Sequence, residues 1–313
     1  MPAAFDIAVD VVIVLLSILA LWKGAEWVVE SASRIGKRFG MSDLVIGLTI
    51  VAFGTSAPEF AVTVAAALRG QGDISVGNVV GSNIFNLGFV LGGVAAVRAI
   101  STSKTLVFRD GLVLIGITVL LRLFVNDLNI SNLEGATLIA LLLVYMGYLL
   151  WKREALHAEE VAAGEATWRD GLKLLAGLAL IVGGGHYLVE SASALARIFG
   201  VSEWVIGVTI VAAGTSAPEL ATSMVAVLRG RHGISIGNLV GSDIFNLLGV
   251  LGVATLLNPV MTVDPHARIS IMILTIMVTV VVIFMRTGWR ISRAEGIFLV
   301  VVNLIRWWAD FSR

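Results

Sequence analysis

Apolar residues run in ten long stretches, each able to cross about 30 Å of hydrocarbon as a helix. They lie at 7–30, 43–68, 74–97, 107–125, 133–151, 170–195, 203–228, 234–257, 268–285 and 294–311, joined by short polar connections. One hydrophilic interruption, from Lys152 to Asp170, carries Glu154, Glu159, Glu160 and Glu165. It reads as a solvated linker too short for a domain of its own. The expected organisation is a five-helix half at 1–151, a linker at 152–169 and a second five-helix half at 170–313. The first stretch follows Met-Pro-Ala-Ala-Phe-Asp, with no basic n-region, and is too long for a signal h-region. It is expected to be a spanning helix.

The polar positions inside these stretches are written twice. Residues 24–100 and 184–260 align without a gap at an offset of 160, with 41 identities in 77 positions. The identities cluster in two blocks. Gly-Thr-Ser-Ala-Pro-Glu stands at 54–59 and 214–219, and Gly-Asn-x-Val-Gly-Ser-[Asn/Asp]-Ile-Phe-Asn at 77–86 and 237–246. Because five spans precede the second copy, that copy starts on the opposite side of the membrane, and the repeat is of the inverted type.

Composition agrees with a polytopic membrane protein: 58% hydrophobic residues and 14% charged, with a mean hydropathy of +0.94. Net charge is zero and there are no basic runs, which excludes nucleic-acid binding by bulk charge. The absence of cysteine excludes disulfides and thiolate metal sites. Lys and Arg near the helix ends number fifteen on one side of this topology and six on the other, with Lys23 inside the first stretch. The positive-inside rule places the richer side and the linker in the cytoplasm and both termini outside, in a multi-pass plasma-membrane protein.

Glu59 and Glu219 fall near the middle of apolar stretches that hold no Lys or Arg at that depth. A carboxylate there costs about 2.5–3.5 kcal/mol on insertion scales unless it finds a partner. The simplest partner is a cation taken from solution. Pro58 and Pro218 precede the two glutamates and remove a backbone donor, so carbonyls near Ala52 and Ala212 are expected to turn toward the ion. Thr55, Ser56, Thr215 and Ser216 add hydroxyls, and the second block adds Ser82, Asn86, Ser242 and Asn246. All are oxygen donors, which suit Ca²⁺ and Na⁺ rather than zinc or copper. The four histidines have no ligand spacing. Gly77, Gly81, Gly237 and Gly241 are expected to serve close helix packing, and Asn78 and Asn238 are equally suited to ligation or to helix–helix hydrogen bonds.

The paired blocks resemble the alpha-repeats of the cation/calcium antiporter superfamily, most closely its prokaryotic sodium/calcium exchanger branch, over essentially the whole chain. The resemblance implies an all-α membrane protein of ten spans in two inverted repeats, with broken helices 2, 3, 7 and 8 around the ions. It also implies Na⁺/Ca²⁺ antiport by alternating access, with no cofactor or enzymatic activity and the lipid bilayer as surroundings. Carried over by position, Glu59 and Glu219 become shared carboxylate ligands, Asn86 and Asn246 complete the middle, and the remaining ligands are Thr55, Ser56, Ser82, Thr215, Ser216, Ser242 and the carbonyls of Ala52 and Ala212. The first and sixth helices resemble the sliding gate of that fold, with Gly24 and Gly183 to Gly185 allowing close contact.

Two departures qualify the likeness. Asn246 stands where potassium-dependent exchangers resemble an Asp pattern, which argues against a potassium requirement. Asp243 replaces the Asn83 of the first copy, and is expected either to join the site as a third acid or to face a neighbouring helix structurally. Proton-coupled calcium exchange and a passive cation channel are the competing transport readings. An intramembrane hydrolase is disfavoured because Ser56 and Ser216 have no histidine nearby in sequence.

Overall fold

The computed structural model describes residues 4–152, 166–201, 206, 210, 212–258 and 260–311. The two longest helices, α1 (Ala4–Arg38) and α7 (Trp168–Ile198), are 35 and 31 residues and overrun the expected stretches. Polar chemistry at their ends sustains the extra turns. Thr167 and Asp170 form a capping box at the start of α7, and the Asp170 carboxylate also pairs with Arg34 Nε of α1 at 2.8 Å. Small residues let the two rods touch along their backbones. A Cβ on Gly24 would meet the Gly177 carbonyl at 2.7 Å, one on Gly177 would meet the Gly24 carbonyl at 2.9 Å, and Gly184 approaches the Ser17 carbonyl.

Beside this pair lies a core built twice. Helices α2 (Asp43–Thr55) and α3 (Ala57–Leu68) form one predicted span bent by 51°, with the elbow at Ser56, two residues before the proline that cannot donate. The second copy has the same elbow at Ser216, between α8 (Ala212–Thr215) and α9 (Ala217–Leu228). Helices α4 (Gly72–Val97) and α10 (His232–Leu257), expected to be broken, are instead continuous 26-residue rods. Lacking proline, each keeps its helix and absorbs the irregularity as a π turn, at Asn86–Val90 and Asn246–Val250.

The outer elements are α5 (Leu112–Phe124), α6 (Asn132–Lys152), α11 (His266–Arg286) and α12 (Arg293–Phe311). Among the described residues four short strands, not anticipated from sequence, tie the halves together: β1 (Ile100–Ser101) pairs antiparallel with β4 (Arg290–Ile291), and β2 (Asn129–Ser131) with β3 (Val260–Thr262). Each ribbon takes one strand from each repeat. Matching capping boxes open α6 and α12: the Ser131 amide donates to Glu134 Oε2 at 2.7 Å, and the Ser292 amide to Glu295 Oε2 at 2.7 Å. The duplication therefore continues, at an offset of 161, beyond the stretch that aligns without gaps.

Among the described residues, six helices are long and apolar enough to span a bilayer singly, and α2 with α3 make a seventh when taken together. Helix also occupies the described parts of the other expected stretches, in α5, in α8 with α9, and in α12. Residues 153–165 of the expected linker, and most of 202–211 in the expected seventh span, lie outside the described residues.

The glycine expectation holds for one copy. A Cβ on Gly237 would meet the Leu44 carbonyl at 2.7 Å, and one on Gly241 the Leu48 Cα at 2.7 Å, because α2 lies directly on α10. Gly77 and Gly81 are exposed, and an added Cβ on either meets no described atom within 4 Å. Gly237→Val should therefore destabilise the folded protein by about 1–3 kcal/mol or more through overpacking against backbone, whereas Gly77→Val should leave the thermal unfolding midpoint in detergent nearly unchanged.

Candidate functional site

Both elbows deliver a glutamate to the same buried centre. Glu59 and Glu219 lie in the first turns of α3 and α9 and are completely shielded from solvent. A helix N-terminus favours negative charge, since its first amides have no intrahelical acceptors. The elbow serines cross between repeats. Ser56 Oγ donates to Glu219 Oε1 at 3.1 Å, and Ser216 Oγ to Glu59 Oε1 at 3.5 Å.

Around Glu219 the structure gathers Ser242 of its own copy together with Ser56, Thr55 and the Ala52 carbonyl of the first copy. Ser242 Oγ lies 3.4 Å from Glu219 Oε1 and 3.5 Å from the Ala52 carbonyl, with Thr55 Oγ1 3.4 Å away. The Ala52 carbonyl is not freed as expected, because it still accepts the Ser56 amide at 3.1 Å. Proline removes the donor that the carbonyl four residues earlier would have met, and for Pro58 that residue is Gly54. Around Glu59 the match is looser. Ser82 turns back to the Val79 carbonyl at 3.1 Å, Thr215 is half-buried, and Ala212 opens α8.

Asn78 and Asn238 act as clips between helices. Asn238 Nδ2 donates to Ser223 Oγ at 3.0 Å and to the Glu219 carbonyl at 3.4 Å, while its Oδ1 accepts Thr55 Oγ1 at 3.0 Å. Asn78 Nδ2 repeats the first two contacts with Thr63 Oγ1 at 2.9 Å and the Glu59 carbonyl at 3.4 Å. A hydroxyl fifteen positions before each asparagine, at Thr63 and Ser223, is the feature in the sequence that could have identified this role.

The second-block residues meet at the centre of the molecule. Asn86 Nδ2 donates to Asp243 Oδ1 at 3.3 Å, Asn246 Nδ2 to Asn83 Oδ1 at 3.2 Å, and Asn83 Nδ2 to the Asp243 carbonyl at 3.0 Å. Asp243 thus faces the opposite repeat. Glu59 Oε2, Glu219 Oε2, Asn86 Oδ1, Asn246 Oδ1 and Asp243 Oδ2 are all buried without a hydrogen-bond partner. Buried oxygens left unpaired are costly, and oxygens of this kind are the donors that a hard cation takes. Among the described residues, no three of His, Cys, Asp and Glu come together as a metal cluster. The chemistry on offer is carboxylate pairs with neutral oxygens.

The two copies differ in what covers their glycine faces. The exposed glycine face of α4 borders a cavity of ≈ 390 Å³ shared with Asp73, Asp264, Ser270 and Arg306. The equivalent face of α10 is covered by α2.

The sodium/calcium exchanger protein family matches residues 9–151 and 172–305. The chain is 37% identical to the CaxA protein of Alkalimonas amylolytica, over 94% of this chain and 96% of that protein. It is 32% identical to the sodium/calcium exchanger MaX1 of Methanosarcina acetivorans, with the same coverages of 94% and 96%. Among solved structures, the sodium-calcium exchanger NCX_Mj superposes with a TM-score of 0.83 at 30% identity, covering 96% of this chain and 98% of that one.

Asn238 joins α9, α10 and α2, so Asn238→Leu strips hydrogen bonds from Ser223 and Thr55 at once. The variant should lose about 1–2 kcal/mol of stability, read as a lowered denaturation midpoint in detergent.

Proposed function

The chain belongs to the sodium/calcium exchanger protein family, and from that membership we propose that it is a secondary active antiporter exchanging Na⁺ for Ca²⁺ by alternating access. The observation that carries this reading is the set of buried, unpartnered oxygens on Glu59, Glu219, Asn86 and Asn246. Cations held there compensate the two carboxylates, with Thr55, Ser56, Ser82, Thr215, Ser216, Ser242 and the carbonyls of Ala52 and Ala212 as flanking ligands. Two glutamates balance one Ca²⁺ or two Na⁺, and both loads together would leave excess positive charge in a low-dielectric site. Occupancy is therefore mutually exclusive, and an empty site with two unpaired carboxylates is penalised in crossing.

The architecture proposed for this cycle is ten spans in two inverted repeats in the plasma membrane, with both termini outside and the 152–169 linker in the cytoplasm. The reciprocal capping boxes and the ribbons between repeats support the two-fold arrangement. Close backbone contact between α1 and α7 suits a gate that slides as a unit. The ≈ 390 Å³ cavity beside Gly77 and Gly81 lies toward the proposed outer face, while α2 closes the corresponding path toward the cytoplasm. Ser56 and Ser216 donate to carboxylates rather than to a histidine base, which favours transport over hydrolysis.

In liposomes carrying the full chain, an imposed Na⁺ gradient should drive ⁴⁵Ca²⁺ uptake, and Glu59→Gln or Glu219→Gln should reduce it to the rate of protein-free vesicles while the protein stays folded. Uptake driven by a proton gradient alone, or near-normal flux in either variant, would reject the two-glutamate antiporter. Because Asn86 and Asn246 are neutral, the same flux should proceed in K⁺-free buffer, and an absolute K⁺ requirement would contradict the assignment.

A further inference from the structure

Asp243 is the position where the best-preserved block differs between the copies, Asp against Asn83, and its carboxylate is completely buried. Three hydrogen bonds give it a defined task. Its main-chain carbonyl accepts Asn83 Nδ2, its Oδ1 accepts Asn86 Nδ2, and Asn83 Oδ1 in turn accepts Asn246 Nδ2. Side-chain amide nitrogen and oxygen look alike, so their orientation has to be settled by the network around them. Here the network settles it. A carbonyl can only accept, so Asn83 presents its nitrogen to Asp243; the Asn83 oxygen then faces Asn246, which must offer its own nitrogen. The hydrogen bond that Asn86 Nδ2 gives to Asp243 Oδ1 turns the Asn86 nitrogen the same way. Both asparagines are left with Oδ1 pointing the other way, and those two oxygens are buried and unpartnered.

We infer that Asp243 is the positioning residue that turns the amide oxygens of Asn86 and Asn246 toward the transported cation, one through its carboxylate and the other through its main-chain carbonyl and Asn83. The inference rests on the cation site proposed above. An amide rotated by half a turn would present N–H donors to the cation and lose the ligand oxygen. Asp243 supplies what prevents that rotation at Asn86, while the relay through Asn83 does so at Asn246. The two-fold relation between the repeats explains why an acid is not essential for the task. Asn83 holds the equivalent place in the first copy with a neutral amide, so an asparagine at 243 can still offer an oxygen to Asn86 and give its nitrogen to the Asn83 carbonyl.

The test is the Ca²⁺ dependence of Na⁺-driven ⁴⁵Ca²⁺ uptake by the full chain in liposomes. Asp243→Leu, which cannot accept from Asn86, should raise the KM for Ca²⁺ by about 10–100-fold, the usual effect of removing a group that orients a ligand, whereas Asp243→Asn should stay below about tenfold. In an Asn86→Ala background, Asp243→Leu should add little, since the ligand it orients is already gone. Asn83→Leu interrupts only the relay to Asn246, so it should raise KM and lose its effect in an Asn246→Ala background; this pair carries the test if Asp243→Leu does not fold. A loss of transport in Asp243→Asn as complete as in Glu59→Gln would overturn the inference, because Asp243 would then act through its charge on the cation. Wild-type KM in both Asp243→Leu and Asn83→Leu would overturn it as well. Normal transport in Glu59→Gln and Glu219→Gln is a different outcome, and removes the cation site itself whatever Asp243 does.

Discussion

Two carboxylates held away from water, with serine hydroxyls but, among the described residues, no basic side chain against them, set the conditions for the rest of this molecule. Leaving water is expensive for a charge, and the hydroxyls of Ser56 and Ser216 satisfy only one oxygen of each glutamate. Placing Glu59 and Glu219 in the first turns of α3 and α9 recovers part of that cost from the helix ends. That placement requires the helices to begin in the middle of a span, which is what the elbows at Ser56 and Ser216 accomplish. Loose backbone at this depth must be covered by protein, and α4 and α10 provide the cover as unbroken rods clipped to α3 and α9 by Asn78 and Asn238.

The two copies are alike in chemistry and unlike in packing. Gly237 and Gly241 bring α10 into backbone contact with α2, whereas the equivalent glycines of α4 border an open cavity. Residues that serve one purpose in both repeats are thus found in two environments within one structure. Ion pairs at the expected cytoplasmic end, Arg229 with Glu26 at 2.8 Å and Arg231 with Asp43 at 3.2 Å, tie α1 and α2 to the α9–α10 connection beside the covered glycines. As partly exposed pairs each adds little to stability; their place is more informative than their strength.

Much of this was legible in the chain before any coordinates. Long apolar runs specify helices in hydrocarbon because no other open structure satisfies the backbone there. The repeated Pro-Glu steps announce both elbows, because proline acts on its own backbone whatever surrounds it. Glu59, Glu219, Ser56, Ser216, Asn86 and Asn246 stood out as polar groups at the wrong depth; the serines bond to the glutamates of the opposite copy, and Asn86 and Asn246 bond across to Asp243 and Asn83. What escaped depended on partners distant in sequence. Whether Ser82 turns inward or back to Val79, whether Ala52 keeps its helical hydrogen bond, and whether α4 breaks or takes a π turn are decided by neighbours that periodicity does not name. The same holds for Asn83 and Asp243, whose contacts lie 157 to 163 residues away. Local chemistry was written in the residue types, because burial of charge, missing donors and apolar length are properties a residue carries with it. The direction each side chain faces, and which of two matching glycine faces is covered, came from packing between the halves, because only there does one repeat become the environment of the other.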